Sequence, residues 1–349
     1  MTYFLRNGNT FKVSSKEAMD LHDTLPPGNY VIKEDMFHNL FLERTADFTR
    51  IAKMYGNTLQ HTDRMVQTFL DRPGTTGIML TGEKGSGKTL LSKNISMELA
   101  LQGIPTIIIN APWCGDRFNT FMQMIEQPIV ILFDEFEKVY DSDQQESILT
   151  LLDGVYSSKK LFLLTCNDKW RIDKHMRNRP GRIYYMVDFT GLTAEFITEY
   201  CQDNLRAVEH IEKICQIASL FHQFNFDMLK ALVEEMNRYG ETPQEALKML
   251  NAKPEFDSGS KYELKLSLDG KAIDIDWPSQ IEGNPLNRHI DVQYDPTPDD
   301  DDSDMEVIKF TPSDLIKIEP SNGRFIFEDG RARLVLTKVK EKFFNYDAF

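Results

Sequence analysis

The stretch Ile78-Met79-Leu80-Thr81-Gly82-Glu83-Lys84-Gly85-Ser86-Gly87-Lys88-Thr89 decides the architecture of this chain. A strand-forming run leads into a glycine, four residues and Gly-Lys-Thr, the pattern of a phosphate-binding loop between a strand and a helix. Glycines let the backbone curl around a polyphosphate. The amides of that nest point inward, and the next helix presents its positive end. Gly82, Glu83, Lys84, Gly85, Ser86, Gly87, Lys88, Thr89 and Leu90 are therefore the expected nucleotide contacts. Lys88 is placed to reach the β- and γ-phosphates, and Thr89 to hold Mg²⁺.

Outward from this loop, apolar strands alternate with helices. Ile78–Thr81, Pro105–Asn110, Ile129–Phe133, Leu161–Thr165 and Tyr184–Phe189 read as strands. Helices are expected over 46–73, from Lys88 to about Leu101, over 118–126 and over 144–155. Continuous apolar strands separated by helices predict a parallel sheet covered on both faces. Residues 1–45 read as a small N-terminal β-type segment, 46–193 as the nucleotide-binding α/β domain and 194–252 as a helical lid. Residues 253–349 read as an acidic, β-rich domain in which no cluster resembles an active site. There Tyr262–Leu268 alternates as a half-buried strand should, and Asp269-Gly270 is a hairpin turn. Asp291–Glu306 holds eight acidic residues and no Lys or Arg, which predicts a solvated loop.

Three further clusters carry chemistry. Asp134-Glu135 follows Ile129–Phe133 directly, and acids at the C-terminal end of a central parallel strand lie where such sheets bind ligands. Asp134 is expected to orient Mg²⁺ or its water, and Glu135 to polarise the attacking water. Asn167 follows Leu161–Thr165. If that strand lies beside the acidic one, its amide can hold the lytic water or contact the γ-phosphate. Arg179-Pro180-Gly181-Arg182 places two arginines on a rigid turn with no obvious acid partner in sequence. Arg179 and Arg182 would suit a γ-phosphate bound by a neighbouring subunit, which requires an oligomer; an internal salt bridge is the alternative.

Composition sets the limits. The chain has 349 residues and a formal net charge of −14, which disfavours a protein that coats nucleic acid. Its four cysteines show no paired ligand spacing and read as free thiols in a reducing compartment. No apolar run is long enough for a signal peptide or a membrane span. A cytoplasmic location is the simplest expectation.

Taken together these residues resemble the AAA+ ATPases, in particular the classical AAA branch, over roughly residues 50–250. Gly82–Thr89 matches Walker A, Ile131–Glu135 matches Walker B, Thr165-Cys166-Asn167 matches sensor 1, and Arg179–Arg182 matches the arginine-finger segment. Leu151–Val155 looks like the stretch many members carry before sensor 1, and 110–124 looks most like the Bcs-type translocases. Phage-encoded AAA proteins are a second likeness, which would place the chain in a host cytoplasm. The resemblance implies an α/β domain with a helical lid, Mg²⁺-dependent hydrolysis of ATP, and a homo-oligomer, a hexameric ring. It implies a protein substrate or adaptor that is remodelled, unfolded or translocated. A DNA-associated motor or loader and a nucleotide-gated assembly scaffold are the alternatives. Some family features are not carried over: there is no membrane helix and no zinc His-Glu-x-x-His segment. Gly240-Glu241-Thr242 resembles the sensor 2 region without an arginine in the next helix. Trp113 of Trp113-Cys114-Gly115 falls where unfoldases present an aromatic to a pore; packing is the competing expectation.

Overall fold

The computed structural model describes residues 2–7, 9–15, 22–153, 159–177, 179–189, 191–219, 221, 224–251, 261–296, 305–319 and 323–339. Gly154 and Val155, and the acidic run 297–304, lie outside them. The chain divides into two compact units. One holds residues 1–82 and 88–188, the other 83–87 and 189–349.

The first unit opens with an antiparallel pair, β1 (Thr2–Asn7) and β2 (Thr10–Ser15). A second pair, β3 (Asn29–Glu34) and β4 (Leu40–Thr45), joins the main sheet: β3 lies parallel to β6 (Thr106–Ile109). The other strands are β5 (Thr76–Gly82), β7 (Ile129–Phe133), β8 (Lys160–Cys166) and β9 (Tyr185–Phe189). The order across the sheet is β4-β3-β6-β7-β8-β5-β9. Every residue of β7 and β8 is buried, as continuous apolar strands between two covering layers must be. Strand β8 enters between β7 and β5, so the phosphate-loop strand and the acidic strand are each one strand away from Asn167. Ligands bind outside the carboxyl ends of such strands.

The helices are α1 (Thr58–Asp71), α2 (Lys88–Ala100), α3 (Gly115–Gln123), α4 (Phe136–Val139) and α5 (Ser142–Leu152). Helix α2 buries Leu91, Ile95 and Leu99, a stripe repeating every fourth residue. Asn94 Nδ2 donates to Thr62 Oγ1 at 2.9 Å, a satisfied buried pair that fixes α2 against α1. The expected helix over 46–73 is shorter. Residues 46 and 47 serve β3 instead: Asp47 accepts the Asn29 N–H at 3.2 Å and the Ala46 carbonyl accepts from Asn29 Nδ2 at 3.2 Å.

The second unit holds α6 (Ala194–Asn204), α7 (Ile211–Ala218), α8 (Phe226–Tyr239) and α9 (Pro243–Met249). Thr193, Asn225 and Thr242 cap α6, α8 and α9, and Thr242 forms a capping box with Glu245. Antiparallel strands follow. β10 (Lys261–Leu268) pairs with β11 (Lys271–Ile273) through Asp269-Gly270, both at positive φ, and with β12 (Gln280–Glu282). β13 (Ile290–Tyr294) pairs with β14 (Glu306–Phe310), and β15 (Leu315–Glu319), β16 (Arg324–Asp329) and β17 (Ala332–Lys338) complete the sheet that contains β10. Both ends of the acidic stretch are thus paired strand rather than loop. Val292 and Tyr294 are buried with Phe310, Phe325 and Leu334 in one core, and that burial outweighs the solvation of the neighbouring acids.

Candidate active site

At the carboxyl ends of β5, β7 and β8 the expected acids, hydroxyls and amide meet. Thr89, in the first turn of α2, donates from Oγ1 to Asp134 Oδ1 at 3.1 Å. Thr165 Oγ1, near the end of β8, donates to the same oxygen at 2.5 Å and accepts the Glu135 N–H at 2.9 Å. In the sequence Thr165 is only one member of a matched motif; in the fold it ties the acidic turn to the neighbouring strand.

Glu135 sits in the left-handed region at φ 49°, ψ 48°. A residue other than glycine there carries strain of about 1–3 kcal/mol and is held by its surroundings, a state concentrated at functional sites. Two contacts hold its side chain. Glu135 Oε1 accepts from Lys138 Nζ at 2.6 Å and from Asn167 Nδ2 at 3.3 Å. The Asn167 N–H in turn donates to Glu137 Oε1 at 3.0 Å.

Lys88 is buried, and Nζ donates to the Gly82 carbonyl at 2.7 Å. Burial lowers its pKa. The carboxylates of Glu137, Asp134 and Glu135 oppose that shift, Glu137 most among the charges. The Lys88 amine thus stands at the end of the loop with acids facing it.

The glycine-rich loop itself belongs to the second unit. The Phe226 N–H donates to the Gly85 carbonyl at 3.0 Å, and Asn225 Nδ2 to the Lys84 carbonyl at 3.2 Å. Gly85 lies at φ +79°, and a Cβ there would come within 2.6 Å of Asp227 Oδ2. The left-handed conformation favours glycine, and any larger residue would also have to displace the Asp227 carboxylate. These residues at the start of α8 are the contact of that helix with the loop. In Gly240–Thr242, Gly240 (φ 68°) is the left-handed terminator of α8 and Thr242 the cap of α9. The Asn225-Phe226-Asp227 sequence signals a helix start and nothing about where it lands.

The two arginines separate. Arg182 is taken: its guanidinium forks onto both Asp153 oxygens, and Nη1 donates to the His175 carbonyl at 2.9 Å. Its side chain is only 12% exposed. The pair raises the Arg182 pKa and lowers that of Asp153 through this hydrogen bonding. The expectation of two free guanidiniums is corrected: an acid 29 residues away in sequence satisfies one of them. Arg179 is exposed: its carbonyl accepts the N–H groups of Arg182 at 2.8 Å and Ile183 at 3.0 Å, while its guanidinium has no hydrogen bond or ion pair among the described residues. Arg177 rests over the Trp170 ring, 5.1 Å from its centroid.

The arginine turn lies at the far end of β5 from the loop. A Cβ on Gly77 would strike the Arg182 carbonyl at 2.1 Å, and the Tyr184 N–H donates to the Gly77 carbonyl at 2.8 Å. Further on, Thr81 Oγ1 bonds Asp188. The chain therefore runs alongside β5 from its start towards its end, and Arg179 precedes the start. Gly77 and Gly82 are separated by five residues of strand, roughly 16 Å.

Trp113 packs against the main core with its Nε1 buried, and its carbonyl accepts from the Tyr140 hydroxyl at 3.0 Å. Packing, rather than a ring presented to solvent, describes it.

Residues 78–189 match the family model of the ATPase family associated with various cellular activities (AAA). This segment is an AAA ATPase domain. Over 190 residues the chain is 26% identical to ATPase family gene 2 protein homolog A of Homo sapiens, covering 47% of this chain and 21% of that protein. Over 177 residues it is 28% identical to peroxisomal ATPase pex1 of Schizosaccharomyces pombe, covering 45% and 17%. The chain thus spans about a fifth of the length of these relatives. The Trip13-containing structure of the Escherichia coli MS115-1 HORMA:CdnC:Trip13 complex superposes with a TM-score of 0.44 at 14% identity, over 58% of this chain and 90% of that one. No helix among the described residues is long and apolar enough to cross a membrane.

Proposed function

We propose that this chain hydrolyses ATP at a seam between two copies of itself and uses the cycle to remodel a protein partner. The observation that carries the chemistry is the convergence of Thr89, Asp134, Glu135 and Asn167, linked by hydrogen bonds around the carboxyl ends of three parallel strands. In this reading the loop amides and Lys88 receive the β- and γ-phosphates. Asn167 positions the γ-phosphate and water, and Glu135 takes up the water's proton. Glu135 is already held by Asn167 and Lys138, so its carboxylate is aimed before substrate arrives.

The donors fit Mg²⁺. One hydroxyl and one carboxylate, both hard oxygens, stand 3.1 Å apart. Among the described residues no cluster of three or more His, Cys, Asp or Glu could cage a metal. Magnesium is characteristically held by one or two protein oxygens, with phosphates and water completing its shell. Thr89 and Asp134 would hold it, and when bound it neutralises charge on the phosphates.

The position of Arg179 supports the shared seam. With the arginine turn about 16 Å back along β5, that guanidinium cannot serve its own loop. It suits the γ-phosphate of a neighbouring copy, and a closed ring, hexameric by family likeness, is the assembly that gives every site such a neighbour. The net charge of −14 favours a protein substrate over a nucleic acid. Contact between α8 and the phosphate loop gives the lid a direct way to follow the nucleotide state.

The test is steady-state turnover beside nucleotide affinity. Glu135→Gln should bind ATP and not turn it over, while Lys88→Ala should bind weakly. Normal turnover by Glu135→Gln would remove the proposed chemistry.

A further inference from the structure

Glu137 lies three residues beyond Asp134 in the short helix α4 and is 5% exposed. Burying a carboxylate costs several kcal/mol unless its oxygens are matched. Here one oxygen is matched and one is not. Oε1 accepts the Asn167 N–H at 3.0 Å, while Oε2 is buried with no well-formed hydrogen bond among the described residues, the Cys166 thiol beside the carboxylate being at most a weak donor. The Cys166 thiol alongside is pushed up to about 12, first by burial and then by the Glu137 charge. A residue kept only to fill this space would be apolar at lower cost.

What the buried acid achieves is the setting of Asn167. The two acids of one turn grip that residue from both sides: Glu137 by its backbone N–H, Glu135 by its side-chain amide at 3.3 Å. Asn167 stands just past the end of β8, where strand pairing no longer fixes the backbone. The Glu137 bond replaces that constraint.

We infer that Glu137 is a positioning residue for ATP hydrolysis, fixing the Asn167 backbone so that its amide stays aimed at the reacting γ-phosphate and at Glu135. The inference rests on the ATPase reading. It differs from a structural or purely electrostatic role in what matters about the side chain, namely its reach and its acceptor atom rather than its charge.

Two near-isosteric variants separate these roles. Glu137→Gln keeps the reach and an acceptor oxygen but loses the charge. Glu137→Asp keeps the charge but falls one methylene short of the Asn167 N–H. An ångström-scale misplacement at a reacting centre can cost about 10²-fold in rate. Glu137→Asp should therefore lower kcat about tenfold or more with KM for ATP changed less than about threefold, and Glu137→Gln should retain at least about a third of kcat. In the Asn167→Ala background, adding Glu137→Asp should cost less than about twofold, because both changes remove the same function. Thermal melts recorded on the same samples check that each variant is folded. The inference is overturned if Glu137→Asp keeps full turnover, if Glu137→Gln loses as much as Glu137→Asp, or if the double variant shows the product of the two losses. Its failure is distinct from failure of the ATPase reading: an inert Glu135→Gln beside a fully active Glu137→Asp removes this inference alone, whereas an active Glu135→Gln removes both.

Discussion

Arg179→Ala tests the shared seam most directly. In its own copy, Arg179 belongs to a turn beside Gly77, about a strand length from the loop that ends in Lys88. At roughly 16 Å in water a unit charge is worth about 0.3 kcal/mol, and salt screens most of that. Nucleotide affinity of the isolated variant should therefore change less than about twofold. Turnover should fall by about tenfold or far more, since an arginine supplied from a neighbour to a γ-phosphate can be worth 10³–10⁵ in rate. The decisive assay mixes Arg179→Ala and Glu135→Gln copies, each inert alone. An intact seam needs Glu135 from an Arg179→Ala copy on one side and Arg179 from a Glu135→Gln copy on the other. In a random equimolar assembly both conditions hold at about one seam in four, whatever the ring size, because each interface is the same head-to-tail contact. Turnover in the mixture should recover to about a quarter of the unmodified level if seams act independently. Subunit exchange must be established separately, by transfer of a fluorescent label. With exchange shown, no recovery would refute the argument from the position of the arginine turn, as would full turnover by Arg179→Ala alone.

Two further outcomes follow from single contacts. Arg182→Ala and Asp153→Ala should each destabilise the fold by about 1–2 kcal/mol, discounted because Asp153 is 41% exposed, with the double variant no worse than either. An Arg182→Ala protein that melts like the parent and is rescued by Glu135→Gln copies would instead make Arg182 a second finger. Lys160, wholly buried at the start of β8, donates to the Ile125 carbonyl at 2.9 Å, and burial lowers its pKa to about 8. The folded value lies below the ordinary lysine value of 10.5, so the penalty is complete below about pH 8 and fades as pH rises towards 10.5. A shift of that size is about 3 kcal/mol, and the lost hydrogen bond returns part of it. Lys160→Met should thus be more stable by about 1–2 kcal/mol at pH 7, measured by denaturant melts, and the gap should close between pH 8 and 10; a gap that does not move with pH would contradict this.

How much of the site can be read in one dimension depends on how far apart its partners lie. Gly82–Thr89 is legible because one turn of chain holds the whole cradle. Ile129–Phe133 with Asp134 is legible because continuous apolar residues mark a buried strand and the acids mark where it emerges. The place of Asn167 requires one step more, that β8 neighbours β7, and the ladder from Ile129 to Phe133 carries it. Arg182 is opaque, because Asp153 is remote in sequence and acids and arginines are plentiful in a charged chain. The contact of α8 with the glycine-rich loop is opaque for a different reason. A helix cap such as Asn225 is determined by its own next three residues, so the local signal is spent on starting α8 and none of it records Lys84 and Gly85.

Glu137 falls between these cases. A charged residue inside Phe136-Glu137-Lys138-Val139 ordinarily marks the solvent face of a helix, and Lys138 beside it is in fact exposed. But α4 is only four residues long and begins from a left-handed Glu135, so the turn directs residue 137 inward beneath β8. Helical periodicity presumes a regular helix, and the strain at Glu135 breaks that premise. The same unusual backbone that aims Glu135 at the candidate reaction centre also buries Glu137. One backbone conformation therefore sets both acids, and a β-branched residue that the left-handed region disfavours, Glu135→Val, should displace Asn167 along with the turn, so that free formate supplied for the missing carboxylate restores no turnover, whereas Glu135→Gly, which keeps that backbone, should be partly rescued by formate.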